Sequence, residues 1–517
     1  MKTQIEVMVR PEEINLPDIL PQKAAKFLNI DVNKISAVIP QKKSIDARSK
    51  YPVFRFLVDV YVDENPVQKK LHISYNPVAG DKKVLVIGFG PAGMFAALKL
   101  IELGIKPIII ERGKDVQSRR RDIRAIQQEQ IVNPDSNYCF GEGGAGAYSD
   151  GKLYTRATKR GNVKKILEIL VRFGASEEIL IDTHPHIGSN RLPKIVAAMR
   201  ETILNNGGEI HFNSKVTDFI IKENKILGVK VNEQEDILSD AVILATGHSA
   251  RDIFYLLHKK NILIEPKSFA MGLRIEHPQA LIDEIQYHSK FKIDNLPAAS
   301  YSLACNIEGK GVYSFCMCPG GIIVPSATAP EEIVVNGMSV SKRNSPFANS
   351  GFVVEVNENE WKNFKNDYPF AGLKLQQELE QHAFSLANKT QRAPAQRVTD
   401  FVAGKFSGSL PKTSYIPGLT SVELNKELPQ FITSRLKAAL KLFDKKMPGY
   451  YSDEAILVGV ESRTSSPIRI PRDKETLMHI QISGLFPCGE GAGYAGGIVS
   501  AAIDGDNSAK AVNEYLS

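Results

Sequence analysis

The stretch Val84-Leu-Val-Ile-Gly-Phe-Gly-Pro-Ala-Gly93 constrains this chain more than any other. It sets Gly88-x-Gly90-x-x-Gly93 directly after an apolar strand pattern and at the opening of an apolar helix pattern that runs to Ile101. Glycines at this spacing allow a tight turn, a close approach of backbone to a pyrophosphate, and tight packing of helix on strand. The helix, opening on Pro91 and Ala92, presents free N–H groups and a partial positive charge to that pyrophosphate. Glu111 follows Gly93 by eighteen positions, at the end of the next predicted strand, where a carboxylate can accept from both ribose hydroxyls of an adenosine. The pattern predicts a dinucleotide site in a doubly wound α/β sheet. FAD and NAD present the same ADP half, so this segment does not separate them.

Two later segments bear on that choice. Gly484-Leu-Phe-Pro-Cys-Gly-Glu-Gly-Ala-Gly-Tyr-Ala-Gly-Gly-Ile498, about four hundred residues away, predicts a strand ending at Gly489-Glu490 and a helix beginning after Gly496-Gly497. Val242-Ile-Leu-Ala-Thr-Gly247 predicts a buried strand ending in small residues. Here the sequence resembles the broad group of flavoproteins that includes glutathione reductase and p-hydroxybenzoate hydroxylase. The resemblance implies that Gly489 and Glu490 contact the flavin ribityl chain or phosphates, that Thr246 and Gly247 lie near the nucleotide, and that the helix at Gly497-Ile498 points at the isoalloxazine pyrimidine. The physical reason for the last is electrostatic, because reduced flavin becomes anionic at N1 and C2=O and a helix N-terminus stabilises that charge. Glu490 stands where many members carry aspartate.

Further stretches are similar to a narrower group, the uncharacterised bacterial FAD-dependent dehydrogenases with an extra N-terminal domain. They are Ser44-Ile-Asp-Ala-Arg48, Phe140-Gly-Glu-Gly-Gly-Ala-Gly146, Ser149-Asp-Gly-Lys-Leu153, His184-Pro-His-Ile-Gly188 and Val460-Glu-Ser-Arg-Thr464. This likeness runs over essentially the full chain and implies FAD as cofactor; it says less about the reaction, because the group is defined by its cofactor. Arg112, Gly144, Lys152 and Val216 join the expected cofactor contacts. The glycines of the 140–153 loop would let backbone approach a flat ring, with Ser149, Asp150 and Lys152 placing polar groups nearby.

Candidates for chemistry are His186, Lys152 and Arg463. His184 and His186 share one side of an extended segment; without evident third and fourth ligands a metal site is not expected, which leaves acid–base or substrate contact and a packed histidine as the readings. Cys316 and Cys318 share a strand face, as a reduced core pair or as a redox pair. Cys139 and Cys488 flank glycine-rich cofactor segments, and either is equally a small buried side chain. Arg463, followed by Thr464, Ser465 and Ser466, offers a guanidinium for a carboxylate or phosphate, or a structural loop.

At 517 residues the chain exceeds one ordinary core. Pattern changes predict a small α+β domain over 1–80, a Rossmann-like FAD-binding domain over 81–260 and 476–517, and a β-rich α+β cap or substrate domain over 261–475, the last made of irregular strands with helical stretches from about Glu360 to Asn388 and near Leu428 to Phe443. The formal charge of +7 is spread along the chain, so no nucleic-acid partner is expected, and Arg119-Arg120-Arg121 with Arg124 reads as a solvated helix face. Five unevenly spaced cysteines and the lack of an apolar leader or membrane span point to a reducing, cytoplasmic setting. The implied mechanism is hydride transfer through flavin N5 with a small-molecule substrate or electron carrier, NAD(P)H binding only transiently, as no second glycine fingerprint is present. A flavin monooxygenase is the alternative enzyme. An FAD-dependent RNA-modifying or low-turnover binding protein is the alternative of another class.

Overall fold

The computed structural model describes residues 1–66, 73–155 and 159–517. Strands Lys2–Val9, Val53–Val62 and Ile35–Asp46 form an antiparallel sheet with helix Ile19–Leu28 against it. On the first strand Ile5, Val7 and Val9 alternate inward, the period of a half-buried sheet. This small sheet shares its apolar core with the large sheet described below. It also grips the chain ahead of His184: the Lys43 N–H donates to Ile181 O at 2.7 Å and the Thr183 N–H to Lys43 O at 2.9 Å.

The second unit is a five-stranded parallel sheet in the order Leu485–Pro487, Ala241–Leu244, Lys83–Ile87, Lys106–Ile110, Glu209–His211. Apart from the edge strand Glu209–His211, its strands are short apolar runs rather than alternating ones, as a sheet covered on both faces requires. Helices Pro91–Glu102 and Leu192–Asn205 and the last helix, Ile498–Leu516, pack on it. A three-stranded meander, Val216–Lys222, Lys225–Val231 and Glu235–Leu238, lies beside it.

Gly505 lets the last helix close on the first. A Cβ there would lie 2.1 Å from Ala92 O. Gly505→Ala is therefore expected to cost about 1–3 kcal/mol or more through overpacking and to loosen the glycine-rich turns joined to both helices. Thermal unfolding and FAD content, both relative to wild type, measure it.

The region expected as irregular strands is instead one continuous mixed sheet of seven: Ala304–Ile307, Lys310–Cys318, Phe347–Val356, Phe269–Pro278, Ile456–Glu461, Ala393–Arg397 and Leu419–Ser421. Helices Ala371–Leu386 and Gln430–Lys446 cover it. The single helical stretch predicted from Glu360 is broken into a 3-10 segment, Lys362–Asp367, and the α-helix that starts after Pro369, a residue with no N–H for an interior helix bond. Among the described residues no helix is long and apolar enough to cross a membrane.

Candidate cofactor site

The three glycine-rich segments, distant in sequence, meet at the carboxyl ends of the parallel strands. Gly88 has φ +94°, and a Cβ on it would lie 2.6 Å from Ala245 O; one on Gly93 would lie 2.0 Å from Gly88 O. Both positions therefore exclude any side chain. Gly90 is different: the sole atom near its would-be Cβ is Gly144 Cα at 3.8 Å, so backbone is exposed ahead of Pro91, the first residue of its helix. From the far end of the chain, Gly489 (φ +77°) sits where a Cβ would be 2.9 Å from Ala92 Cβ, and Gly491 abuts Gly247 O. The Gly489 N–H donates to Asp504 at 2.7 Å, and Asp504 in turn pairs with Arg472, which also donates to Pro487 O.

Glu111 is buried. Its Oε2 accepts from the Phe89 N–H at 2.8 Å, and its Oε1 from the N–H groups of Gly113 at 2.9 Å and Gly141 at 3.0 Å. A carboxylate has about four acceptor positions, so Glu111 locks the glycine turn to the 137–144 loop with three of them and has one left over. Arg112 stacks its guanidinium over the Phe140 ring at 4.2 Å and pairs with Asp135 and Asp252. Val216 opens its strand just after Ser214, whose N–H donates to Glu111 O, so it lies along the same edge.

One residue of this site was misread from the sequence. Arg119 belongs to no solvated face: its guanidinium is fully buried and all five of its N–H groups are used. Nε donates to Asn137 O (2.6 Å), Nη1 to Gly141 O and Glu142 O (3.3 and 2.8 Å), and Nη2 to Tyr138 O and Gly144 O (2.7 and 2.9 Å). Its ring partner is Tyr148. Within the 137–144 loop the Asn137 N–H donates to Phe140 O and the Gly144 N–H to Gly141 O, which leaves other carbonyls without a loop donor, and a buried carbonyl needs one. Arg119 donates to five of the loop's carbonyls, and so places Gly144 opposite Gly90.

The last helix starts at Gly497 without any side-chain cap, and nothing lies within 4 Å of a Cβ added at Gly496, Gly497 or Gly247. Ile498 packs against Gly146, 3.3 Å from its would-be Cβ, which brings this helix end beside Pro91 and the 144–146 turn. Burial pushes the Glu490 carboxyl up to about 7, Lys267 opposing and Cys316 adding to the shift.

Lys152 and His186 face each other across a short bridge of extended chain. The Lys152 ammonium lies 3.3 Å from Asp150, 3.6 Å from Cys316 Sγ and 3.4 Å from Cys318 Sγ. Burial alone would lower it, but the two thiols and Asp150 hold it above the ordinary lysine value. Asp150 also takes Arg343 at 2.7 Å. His186 places Nε2 3.1 Å from Ser341 O, which fixes the proton on Nε2 and leaves Nδ1 as an acceptor. Burial, then Arg343, lowers its pKa. The His184 ring packs against that of Tyr154 at a tilt, with centroids 5.3 Å apart and planes at 57°. Among the described residues no three His, Cys, Asp or Glu side chains cluster as metal ligands.

Arg463 is held by protein groups. Its Nε and Nη2 hold Glu380, Nη2 also holds Glu332, and Nη1 donates to Ser249 and Thr328, so every N–H has a buried protein partner. Arg251 pairs with the same two carboxylates. This network stands behind Gly247 and flanks His248, whose pKa burial and then Arg463 and Arg251 lower to about 3. His248 carried no sequence signal beyond its place directly after Thr246-Gly247.

A parallel sheet with three glycine turns and a bare helix N-terminus at its carboxyl edge is the frame of a dinucleotide-binding flavoprotein. The residues present fit the group, since open glycines at 90, 247, 496 and 497 leave a cradle that side chains would fill. Family models described as "FAD-dependent protein, C-terminal domain-like" and "FAD dependent oxidoreductase" match residues 268–464 and 185–324, and a domain of unknown function matches residues 1–61. An uncharacterized protein of Clostridium beijerinckii is 40% identical over 531 residues, covering 98% of each chain. The chain belongs to this family of FAD-dependent oxidoreductases. Solved structures similar to it include a geranylgeranyl bacteriochlorophyll reductase-like protein of Thermoplasma acidophilum (15% identity; 84% of this chain and 79% of that one; TM-score 0.34). Another is glycine oxidase of Bacillus cereus (13% identity; 84% and 95%; TM-score 0.29). Likenesses this distant have no bearing on the reaction.

Proposed function

We propose that the protein transfers hydride between flavin N5 and a small molecule or electron carrier, in the cleft bounded by Gly497-Ile498, Glu490 and the 144–152 loop. The observation that carries this reading is the uncapped N-terminus of the nineteen-residue last helix, set beside the pyrophosphate turn and open at Gly496 and Gly497. Bound FAD supplies the two-electron chemistry, whose reduced form is anionic at the pyrimidine. The helix N-terminus stabilises that charge without reorganising. Gly90 and Gly144 hold the pyrophosphate by backbone, and Glu111 takes a ribose hydroxyl. Glu490 modulates the charge: its carboxyl is neutral below about pH 7 and a carboxylate above it.

A carboxylate beside a forming anion opposes reduction, so the rate of anaerobic flavin reduction should fall several-fold as pH rises through 7. Glu490→Gln should flatten that profile. Stopped-flow reduction of the FAD protein by NADH, NADPH and dithionite over this range tests both the reading and the electron donor. Bleaching by a reduced nicotinamide supports the hydride reading, and oxygen uptake coupled to product hydroxylation would replace it with a monooxygenase. A flavin that no two-electron donor reduces counts against it altogether.

A further inference from the structure

The strand Lys310–Cys318 leaves its register with Phe347–Val356 between Phe315 and Cys318, and Cys316 there adopts φ +47°. The break turns both thiols of Cys316-Met317-Cys318 onto one ammonium, that of Lys152. Arg274 approaches from the other side. Its Nη2 lies 3.6 Å from Cys318 Sγ and donates to Cys316 O at 2.9 Å, while Nη1 is paired with Glu461 at 2.9 Å and Nε with Asn349. Lys152, Arg274 and Arg343 thus face two carboxyls, Asp150 and Glu461. Burial pushes Glu461 up to about 7. The cluster therefore lacks one negative charge with Glu461 ionised and two with it protonated, and the thiols are the groups placed to provide one. In agreement, the hydrogen bond to Cys318, and then Lys152 and Arg274, hold Cys316 well below the ordinary thiol range, while Cys318 is driven well above it as the partner that keeps the proton.

The pair also stands near the candidate cofactor segments. Lys152 stands on the loop whose Gly146 packs against Ile498, and Cys316 is near enough to Glu490 to raise its carboxyl. We infer that Cys316 and Cys318 are a redox-active dithiol that exchanges two electrons with FAD. The Cys316 thiolate and Cys318 thiol form one S–S bond and release two electrons and one proton. Oxidised FAD takes up all three to give its reduced anion, and the reverse reaction restores the dithiol, so neither direction requires a further reactant. Asp150 pairs with the half-buried Lys152, but that pair alone does not account for two thiols within hydrogen-bond reach of the same ammonium.

The test is anaerobic dithionite titration of the FAD-loaded, full-length protein after mild oxidation with diamide, followed by iodoacetamide labelling and peptide mass spectrometry. A disulfide is a two-electron couple. Wild type should therefore take up four electrons per FAD, whereas Cys316→Ser and Cys318→Ser should take up two with FAD content retained. In the oxidised wild type, the peptide spanning 316–318 should resist labelling until the protein is reduced, a readout independent of whether either serine variant folds. Lys152→Met should slow neutral-pH labelling of Cys316 by about tenfold, the effect of one pKa unit. Uptake of two electrons by wild type, a fully labelled 316–318 peptide after oxidation, or a labelling rate indifferent to Lys152 would overturn the inference.

Discussion

Arg119→Met protein should purify without FAD and unfold well below wild type. The substitution removes the arginine donors to the carbonyls of Asn137, Tyr138, Glu142 and Gly144, and one of the two donors to Gly141 O, which keeps the Gly144 N–H. An unsatisfied buried polar group costs about 1–3 kcal/mol. The loop will rearrange to recover part of that loss, so a net effect of about 3 kcal/mol or more is expected. Rearrangement itself is harmful, because the same loop donates the Gly141 N–H to Glu111 and sets Gly144 opposite Gly90. Arg119→Lys keeps the charge but brings three donors in place of five, and should retain intermediate stability with weakened FAD binding. Flavin absorbance per protein and thermal unfolding of both variants check this. A methionine variant that holds stoichiometric FAD would show that the loop carbonyls find other partners.

Glu380→Ala, in the helix Ala371–Leu386 that covers the large sheet, should be strongly destabilising. Glu380 accepts from Arg251, from Arg463 through two nitrogens, and from Ser462, and these groups hold its carboxyl far below the usual range despite burial. Removing it leaves two arginines with Glu332 as their remaining carboxylate. Breaking one partner out of a buried pair costs about 3–5 kcal/mol. Because its folded pKa lies below the unfolded value, Glu380 contributes stability that is present above about pH 4.5 and lost as pH falls through the carboxylate range. The advantage of wild type over Glu380→Ala, read by denaturant midpoints, should accordingly shrink toward acid pH.

These two residues also mark where sequence reading failed. Gly88, Gly93 and Gly489 were legible because each occupies a backbone position that excludes other residues, so the residue type records the geometry. Glu111 was legible through its register with them. Arg119 was not, because its partners are main-chain carbonyls, which leave no signature in side-chain identity; an arginine triplet looks the same whether it meets solvent or a folded loop. Glu380 and Arg463 are separated by a stretch that carries no shared pattern, and their pairing depends on how the seven-stranded sheet closes. That sheet was itself read as irregular for a physical reason. Ile456–Glu461 is buried on both faces and loses the alternation that identifies a strand, and register breaks at Gly272/Leu273 and Phe315/Cys318 interrupt its neighbours. The period of a regular strand puts Cys316 and Cys318 on one face, whereas in the structure their thiols meet Lys152 at a break in that strand. Nothing in that period points to Lys152, 164 residues from Cys316.

The account rests on FAD bound where the three glycine segments meet. The direct measurement is the absorbance spectrum of purified wild-type protein beside that of Gly90→Val, with the released cofactor identified by chromatography. The valine fills open space next to Gly144 Cα without touching the core. The account predicts a flavin spectrum and stoichiometric FAD from wild type, and a folded, colourless Gly90→Val that cannot be reconstituted. A valine variant that binds FAD as tightly as wild type, or a wild-type protein that neither retains nor takes up FAD, would contradict it.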